Sequence, residues 1–135
     1  MAQDVDGVDQ NDRGDLAIRT LAMPADTNPS GDIFGGWVLA QMDLAAGIIA
    51  ARRASGRVAT VALDGMAFHR PVNVVDVVSC YARVTRIGKT SMTVEVETYV
   101  NRGRIEDEVK VTEGHFTMVA IDDHGRPRPI PTKRH

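Results

Sequence analysis

One carboxylate and one pair of glycines have the residue types and spacing to do chemistry together. Asp43 lies within WVLAQMDLAAGIIAA, the run from Trp37 to Ala51, where nearly every other side chain is apolar. An ionised carboxylate in such a run is costly unless it is paired or used, which makes Asp43 a candidate general base or nucleophile. The structural alternative is that Asp43 and Gln41 share a narrow solvent-facing stripe of a helix. Eight residues upstream stands Gly35-Gly36. A helix that opens on two glycines offers unpaired N–H groups, the positive end of its dipole and a backbone that another group can approach closely, a place for a developing oxyanion.

Competing chemistries lack their residues. His69, His115, His124 and His135 have no metal-ligand spacing with one another or with Cys80, so no metal site is expected. The stretch Gly31–Gly36 is followed by neither Lys-Ser nor Lys-Thr, which excludes a nucleotide P-loop. There is no Gly-x-Ser-x-Gly elbow to activate Ser30 or Ser91. Cys80 falls in an alternating strand pattern and reads as a small buried hydrophobe; as the one cysteine it excludes an intrachain disulfide and fits a reducing, cytoplasmic compartment. Carboxylate chemistry is what remains.

The elements that must position these groups form one domain. Leu16–Ala22 reads as an edge strand, and Pro24 with Asn28-Pro29-Ser30-Gly31-Asp32 as a loop. A helix then runs from Gly35 to Arg53, apolar on nearly all sides, with Arg52 and Arg53 at its negative end and Gly56 as a left-handed exit. From Arg57 the period changes to two: 57–70, 76–87, 91–101 and 108–122 read as long strands, with Val94, Val96, Thr98 and Val100 on one face against Thr93, Glu95, Glu97 and Tyr99. The turns at Pro71-Val72-Asn73, Ile87-Gly88-Lys89 and 101–104 suit antiparallel neighbours. The expectation is an α+β fold: a five-stranded antiparallel sheet wrapped around one long helix across 16–123. Residues 1–15 are acidic, polar and expected to lack order, and 124–135, rich in proline and arginine, to extend over the surface. A net charge of −2 argues against nucleic-acid binding by bulk electrostatics, and Gln41 and Asp43 in the apolar run argue against a membrane span. With aromatic residues at only 4%, the core must be built from Val, Ala, Leu, Ile and Met.

Three stretches carry a resemblance: TLAMPADTNPSGDIFGGW from Thr20 to Trp37, QMD from Gln41 to Asp43, and GRVATVALDGMAF from Gly56 to Phe68. Together they resemble the hotdog-fold acyl-CoA thioesterases of the bacterial YciA type, over roughly Leu16 to Pro131. The resemblance implies the hotdog fold, an acidic catalytic residue at Asp43, an oxyanion amide at Gly35 or Gly36, Thr60 facing the acyl or pantetheine tunnel, and assembly as a trimer of dimers. It implies no cofactor, since coenzyme A is part of substrate and product. His69 stands where this family would carry an aliphatic residue, which bears on acyl preference.

Thioester hydrolysis suits so sparse a site. A thiol leaving group, with acidity like that of cysteine at about 8.5, departs without a strong general acid, so a base or nucleophile and an oxyanion site suffice. Whether Asp43 activates water or attacks the carbonyl itself stays open at this point. Asn28 and Asp32 could shape the thioester pocket, or simply form the turn and cap the helix. Arg70, Lys89 and Ser91 stand at strand ends, where they could hold a coenzyme A phosphate or merely be solvated. A hydratase or dehydratase would pair the acid with a histidine near the helix start, and the 28–34 loop has none. A non-catalytic acyl-CoA sensor in a transcription regulator would need a DNA-binding module, which the short acidic N-terminal segment does not offer. Finally, eight residues of helix separate Gly35 from Asp43 by about 12 Å, too far to serve one carbonyl carbon. Two antiparallel helices across a two-fold axis remove the difficulty, which predicts a homodimer with composite sites.

Overall fold

The computed structural model describes residues 13–102 and 108–132. The segment 1–12, residues 103 and 104 of the expected turn, and residues 133–135 of the expected tail, His135 among them, lie outside the described residues. The element order is β1 (Asp15–Leu21), α1 (Gly35–Ala54), β2 (Val58–Phe68), β3 (Val77–Ile87), β4 (Ser91–Asn101) and β5 (Val109–Ala120), with one 3₁₀ turn at Pro24–Asp26. The strands form a single sheet in the order β1-β3-β4-β5-β2, every neighbouring pair antiparallel. The sheet curls round α1, which touches all five strands. This is the expected α+β layout, the hotdog arrangement.

Alternation fixes which side of each strand meets the helix. On β4, Met92, Val94, Val96, Thr98 and Val100 are buried, and the intervening Thr93, Glu95, Glu97 and Tyr99 stand on the outer face. Val38, Met42, Ala45, Ala46, Ile49 and Ala50 form the helix side of the same core. Four of the buried helix residues are alanines (Ala45, Ala46, Ala50 and Ala54), whose short side chains let the helix lie close to the sheet, and this is how a core poor in aromatics fills its space. Cys80 is buried there too, its Sγ 3.4 Å from Thr98 Oγ1, and burial pushes its thiol up to about 11, the state of an inert side chain. No described helix is long and apolar enough to cross a membrane.

Three expectations are corrected. Pro71-Val72-Asn73 does not join neighbouring strands: β2 pairs only with β5, while β3 lies between β1 and β4. The 69–76 link instead crosses the end of the sheet and braces the start of the helix. Val72 is buried and its carbonyl accepts the Ile33 N–H at 3.1 Å, while Asp76, 2% exposed, accepts from Asn73 N–H at 2.8 Å and from Arg102 Nε at 3.1 Å. The left-handed exit from α1 is Ser55 (φ 55°, ψ 43°), not Gly56. Gly56 is bare for another reason, since a Cβ there would lie 2.6 Å from Arg128 Nη2, the group that donates to the Ala54 carbonyl at 2.9 Å. Lastly, α1 is not enclosed on nearly all sides: Ala40, Asp43, Leu44 and Ile48 are exposed, Leu44 to 57%. The sheet covers one side of the helix and leaves an apolar strip on the other.

Candidate active site

The loop before α1 is stitched by its own groups. Asn28 Oδ1 accepts from Ser30 N–H at 2.9 Å and Asp32 N–H at 3.1 Å, and Asn28 N–H donates to the Asp32 carbonyl at 2.7 Å. Gly31 supplies the positive φ of 90° that closes this turn. Asp32 does not cap the helix; the N-cap is Phe34, which has no side-chain cap and donates its N–H to the Asp26 carbonyl at 2.9 Å. The Phe34 carbonyl takes the N–H groups of Trp37 and Val38. Among the described residues no acceptor takes those of Gly35 or Gly36, so two donors face outward at the positive end of the helix.

Asp43 sits two turns further along, on the exposed strip. Thr60 of β2 donates its hydroxyl to Asp43 Oδ1 at 2.6 Å, a short charge-assisted hydrogen bond that fixes one carboxylate oxygen and leaves the other free. The pair opens on a cavity of about 360 Å³ lined by Gly36, Leu39, Ala40, Asp43, Thr60, Leu63 and Phe116. Apolar walls around one oriented carboxylate and a helix N-terminus are what base or nucleophilic attack on a polarised carbonyl requires.

A second cavity of about 370 Å³ lies at the helix start, where Asn28, Asp32, Gly35 and Arg70 meet Phe68 and His69. The expected residues thus fall into three places. Asp43, Gly36 and Thr60 share the first cavity, and Asn28, Asp32, Gly35 and Arg70 the second. Lys89 and Ser91 are grouped with neither, because the β3–β4 hairpin that carries them lies at the far end of the helix. There the Lys89 carbonyl accepts the N–H of Ile130 at 2.8 Å, and Arg53 from the last helical turn donates to the neighbouring Pro131 carbonyl at 2.8 Å. Within one chain, Arg70 and Lys89 therefore stand at opposite ends of a 20-residue helix.

Sequence reasoning missed Leu63, Phe116 and Phe68 as lining residues. Leu63 and Phe116 lie within strand patterns that carry no chemical signal. His69, which the resemblance ties to acyl preference, lines the second cavity; its N–H bonds to the Val111 carbonyl at 2.7 Å and its Nε2 lies 3.6 Å from Glu113 Oε2. On β2, Val61 is 59% and Phe68 51% exposed, and the outer edge of this strand has no partner strand among the described residues.

A fold of this kind, with a carboxylate and a helix N-terminus on one apolar cleft, defines a class, and comparison places the chain in it. Residues 30–106 match the model of the thioesterase superfamily. The acyl-CoA thioester hydrolase YciA of Salmonella typhimurium is 49% identical over 129 residues, covering 93% of this chain and 97% of that protein. Among solved structures, the hexameric thioesterase y2039 from Yersinia pestis superposes with a TM-score of 0.85 at 51% identity, covering 89% of this chain and 98% of its own. HI0827, a hexameric broad specificity acyl-coenzyme A thioesterase, gives 0.84 at 44% identity, with 98% and 90% covered. The chain belongs to the thioesterase superfamily and, within it, to the hotdog-fold acyl-CoA thioester hydrolases of the YciA type.

Proposed function

We propose that the protein hydrolyses acyl-CoA thioesters, with Asp43 as base or nucleophile and the amides at Gly35-Gly36 as the oxyanion site. The observation that carries this is the 2.6 Å hydrogen bond from Thr60 to Asp43, which orients the carboxylate into the cavity that Gly36 also lines. In the general-base course, Asp43 takes a proton from water as the oxygen adds to the thioester carbonyl. The tetrahedral oxyanion rests on the helix amides, and its collapse breaks the C–S bond, coenzyme A leaving as the thiolate and then taking a proton. In the nucleophilic course Asp43 itself adds, expels the thiolate, and water cleaves the mixed anhydride. No cofactor enters either course, since the substrate carries the coenzyme A. This reading keeps the enzyme in the reducing cytoplasm, with Cys80 a buried thiol.

The site is completed by a second copy. Even Gly36, the nearer glycine, lies seven residues from Asp43, about 10 Å along the helix, so a single helix does not serve one carbonyl carbon. The strip that holds Asp43 is uncovered, and β2 beside it ends the sheet. Gly47 on α1 has nothing among the described residues within 4 Å of a built Cβ, so the chain's own packing does not explain its bareness, and a closely approaching partner helix does. An antiparallel partner brings its Gly35-Gly36 end beside Asp43, and three such dimers give the hexamer described for the relatives y2039 and HI0827. In this assembly the Lys89–Ser91 hairpin of one subunit approaches the Arg70 end of another, which would reunite the proposed coenzyme A phosphate contacts.

Complementation tests it. Asp43→Ala and Gly36→Val homo-oligomers are expected to lose at least about a hundredfold in turnover. After subunit exchange each heterodimer has one intact and one doubly damaged site and recovers up to half the activity. No recovery after verified exchange, or full activity in an isolated monomer, refutes the composite site. One observation favours a second reading: His69 stands on the same cavity as Gly35, where a hydratase would keep its histidine. Hydration of an enoyl-CoA without release of thiol would establish that reading instead.

A further inference from the structure

We propose that Leu63 is the wall that limits the length of acyl chain the site accepts, and that Gly114 behind it keeps that wall drawn back. The inference rests on the hydrolase reading above and extends it from the reacting carbonyl to the chain attached to it. Beyond Asp43, Thr60 and the backbone at Gly36, the cavity of about 360 Å³ offers apolar surface, chiefly Leu39, Leu63 and Phe116. An acyl chain leaving a carbonyl held at Asp43 therefore runs toward these three. Phe116, 1% exposed, is locked into the core from β5. Leu63 faces it across the β2–β5 ladder and is only partly buried, which makes it the wall with room to move.

What stands behind Leu63 decides how far it moves. Gly114 lies on the helix-facing side of β5, and a Cβ built there would be 3.2 Å from Leu63 Cδ1, 3.0 Å from Met66 Sδ and 3.7 Å from Met42 Cε. Its backbone does not adopt the left-handed conformation that demands glycine. The missing side chain is therefore space, and Leu63 and Met66 use it. The groups in the way are the flexible ends of a leucine and a methionine, so an alanine is accommodated by moving them outward, and Leu63 moves into the cavity. A single methylene in an apolar pocket changes discrimination by about 10- to 200-fold, so a truncated leucine is enough to redraw chain-length preference, and a slightly displaced one shifts it in the opposite direction by less.

The test compares kcat/KM for straight-chain acyl-CoAs from acetyl to hexadecanoyl in the wild-type protein, Leu63→Ala and Gly114→Ala. The quantity read is the ratio of long-chain to short-chain values. Leu63→Ala should raise the ratio just beyond the wild-type cut-off by about tenfold or more, and Gly114→Ala, which shifts Leu63 by less than a methylene, should lower it by a smaller factor. Leu63→Val serves as a milder second variant should the alanine protein fail to fold. Uniform scaling of all chain lengths, or a shift in the same direction for both variants, overturns the proposal. If the wild-type protein turns over no acyl-CoA, the hydrolase reading falls. The wall is then judged by calorimetric Kd values of the same ligands, where an unshifted length profile overturns it.

Discussion

Replacing Thr60 by valine removes one hydroxyl and almost no volume, and the structure says what that hydroxyl holds. It donates to Asp43 Oδ1 at 2.6 Å, while its other close contact, Met118 Sδ at 3.4 Å, is weak. A hydrogen bond to a charged group contributes about 1.5–3 kcal/mol, which at 1.36 kcal/mol per decade corresponds to about 10- to 150-fold in rate if the whole of it aligns the carboxylate in the transition state. In a lone chain Thr60 and Asp43 are both solvent-exposed, which favours the low end; closure by a partner subunit excludes water and favours the high end. The assay is thiol release from an acyl-CoA, with kcat and KM determined separately. Thr60→Val should lower kcat by 10-fold or more, about the low limit above, with KM little changed, and Thr60→Ser, which keeps the donor, should stay within about threefold of wild type. Wild-type kcat in a folded Thr60→Val protein, or a serine variant as impaired as the valine one, would show that the hydrogen bond is incidental to catalysis.

Three further outcomes are expected. Gly36→Val has nothing among the described residues within 4 Å of its Cβ, so it should fold normally yet lose about 2–4 kcal/mol of transition-state stabilisation, read as kcat/KM beside an unchanged circular dichroism spectrum. Val75 holds φ at 67°, a conformation that costs a β-branched residue about 1–2 kcal/mol, so Val75→Asn should raise the urea midpoint; an unchanged or lower midpoint would show that the link is not strained there. Burial holds the Cys80 thiol at about 11 against its ordinary 9.0, so the stability it contributes is fully present below pH 9 and is lost as pH rises toward 11. Tyr81 and Tyr99, both also raised chiefly by burial, act in the same direction, so the urea midpoint should fall across this window and fall less steeply in Cys80→Ala.

The fold was legible because its signals are local. Alternation along β4 names the buried face residue by residue, and the Gly35 start of α1 is where a glycine pair following a turn should put it. The composition of Pro71-Val72-Asn73 indicates a reversal of the chain but carries no information on which strand lies beside which, so the crossing from β2 to β3 was invisible. Helical periodicity fails for α1 for a related reason. Its apolar residues run all round, and sequence does not distinguish the side covered by the chain's own sheet from the side left exposed. The pairing of Thr60 with Leu63 on one cavity was hidden by parity. Counting by twos along β2 puts them on opposite faces, but the register shift between Thr60 and Ala62 turns both toward the helix. The same strand later shifts between Asp64 and Ala67.

The free edge of β2 lies beside both Thr60 and the uncovered strip of α1. If the reacting groups meet only across that boundary, a folded single chain is chemically silent, and the law of mass action enters the rate. Below the dissociation constant of the dimer, thiol release per volume would grow with the square of the chain concentration, and above it in direct proportion. A cell making little of this protein would then have less than a proportional share of its activity, and a dilution series read on a logarithmic scale would bend from slope two to slope one at the concentration where the sheet edges begin to find each other.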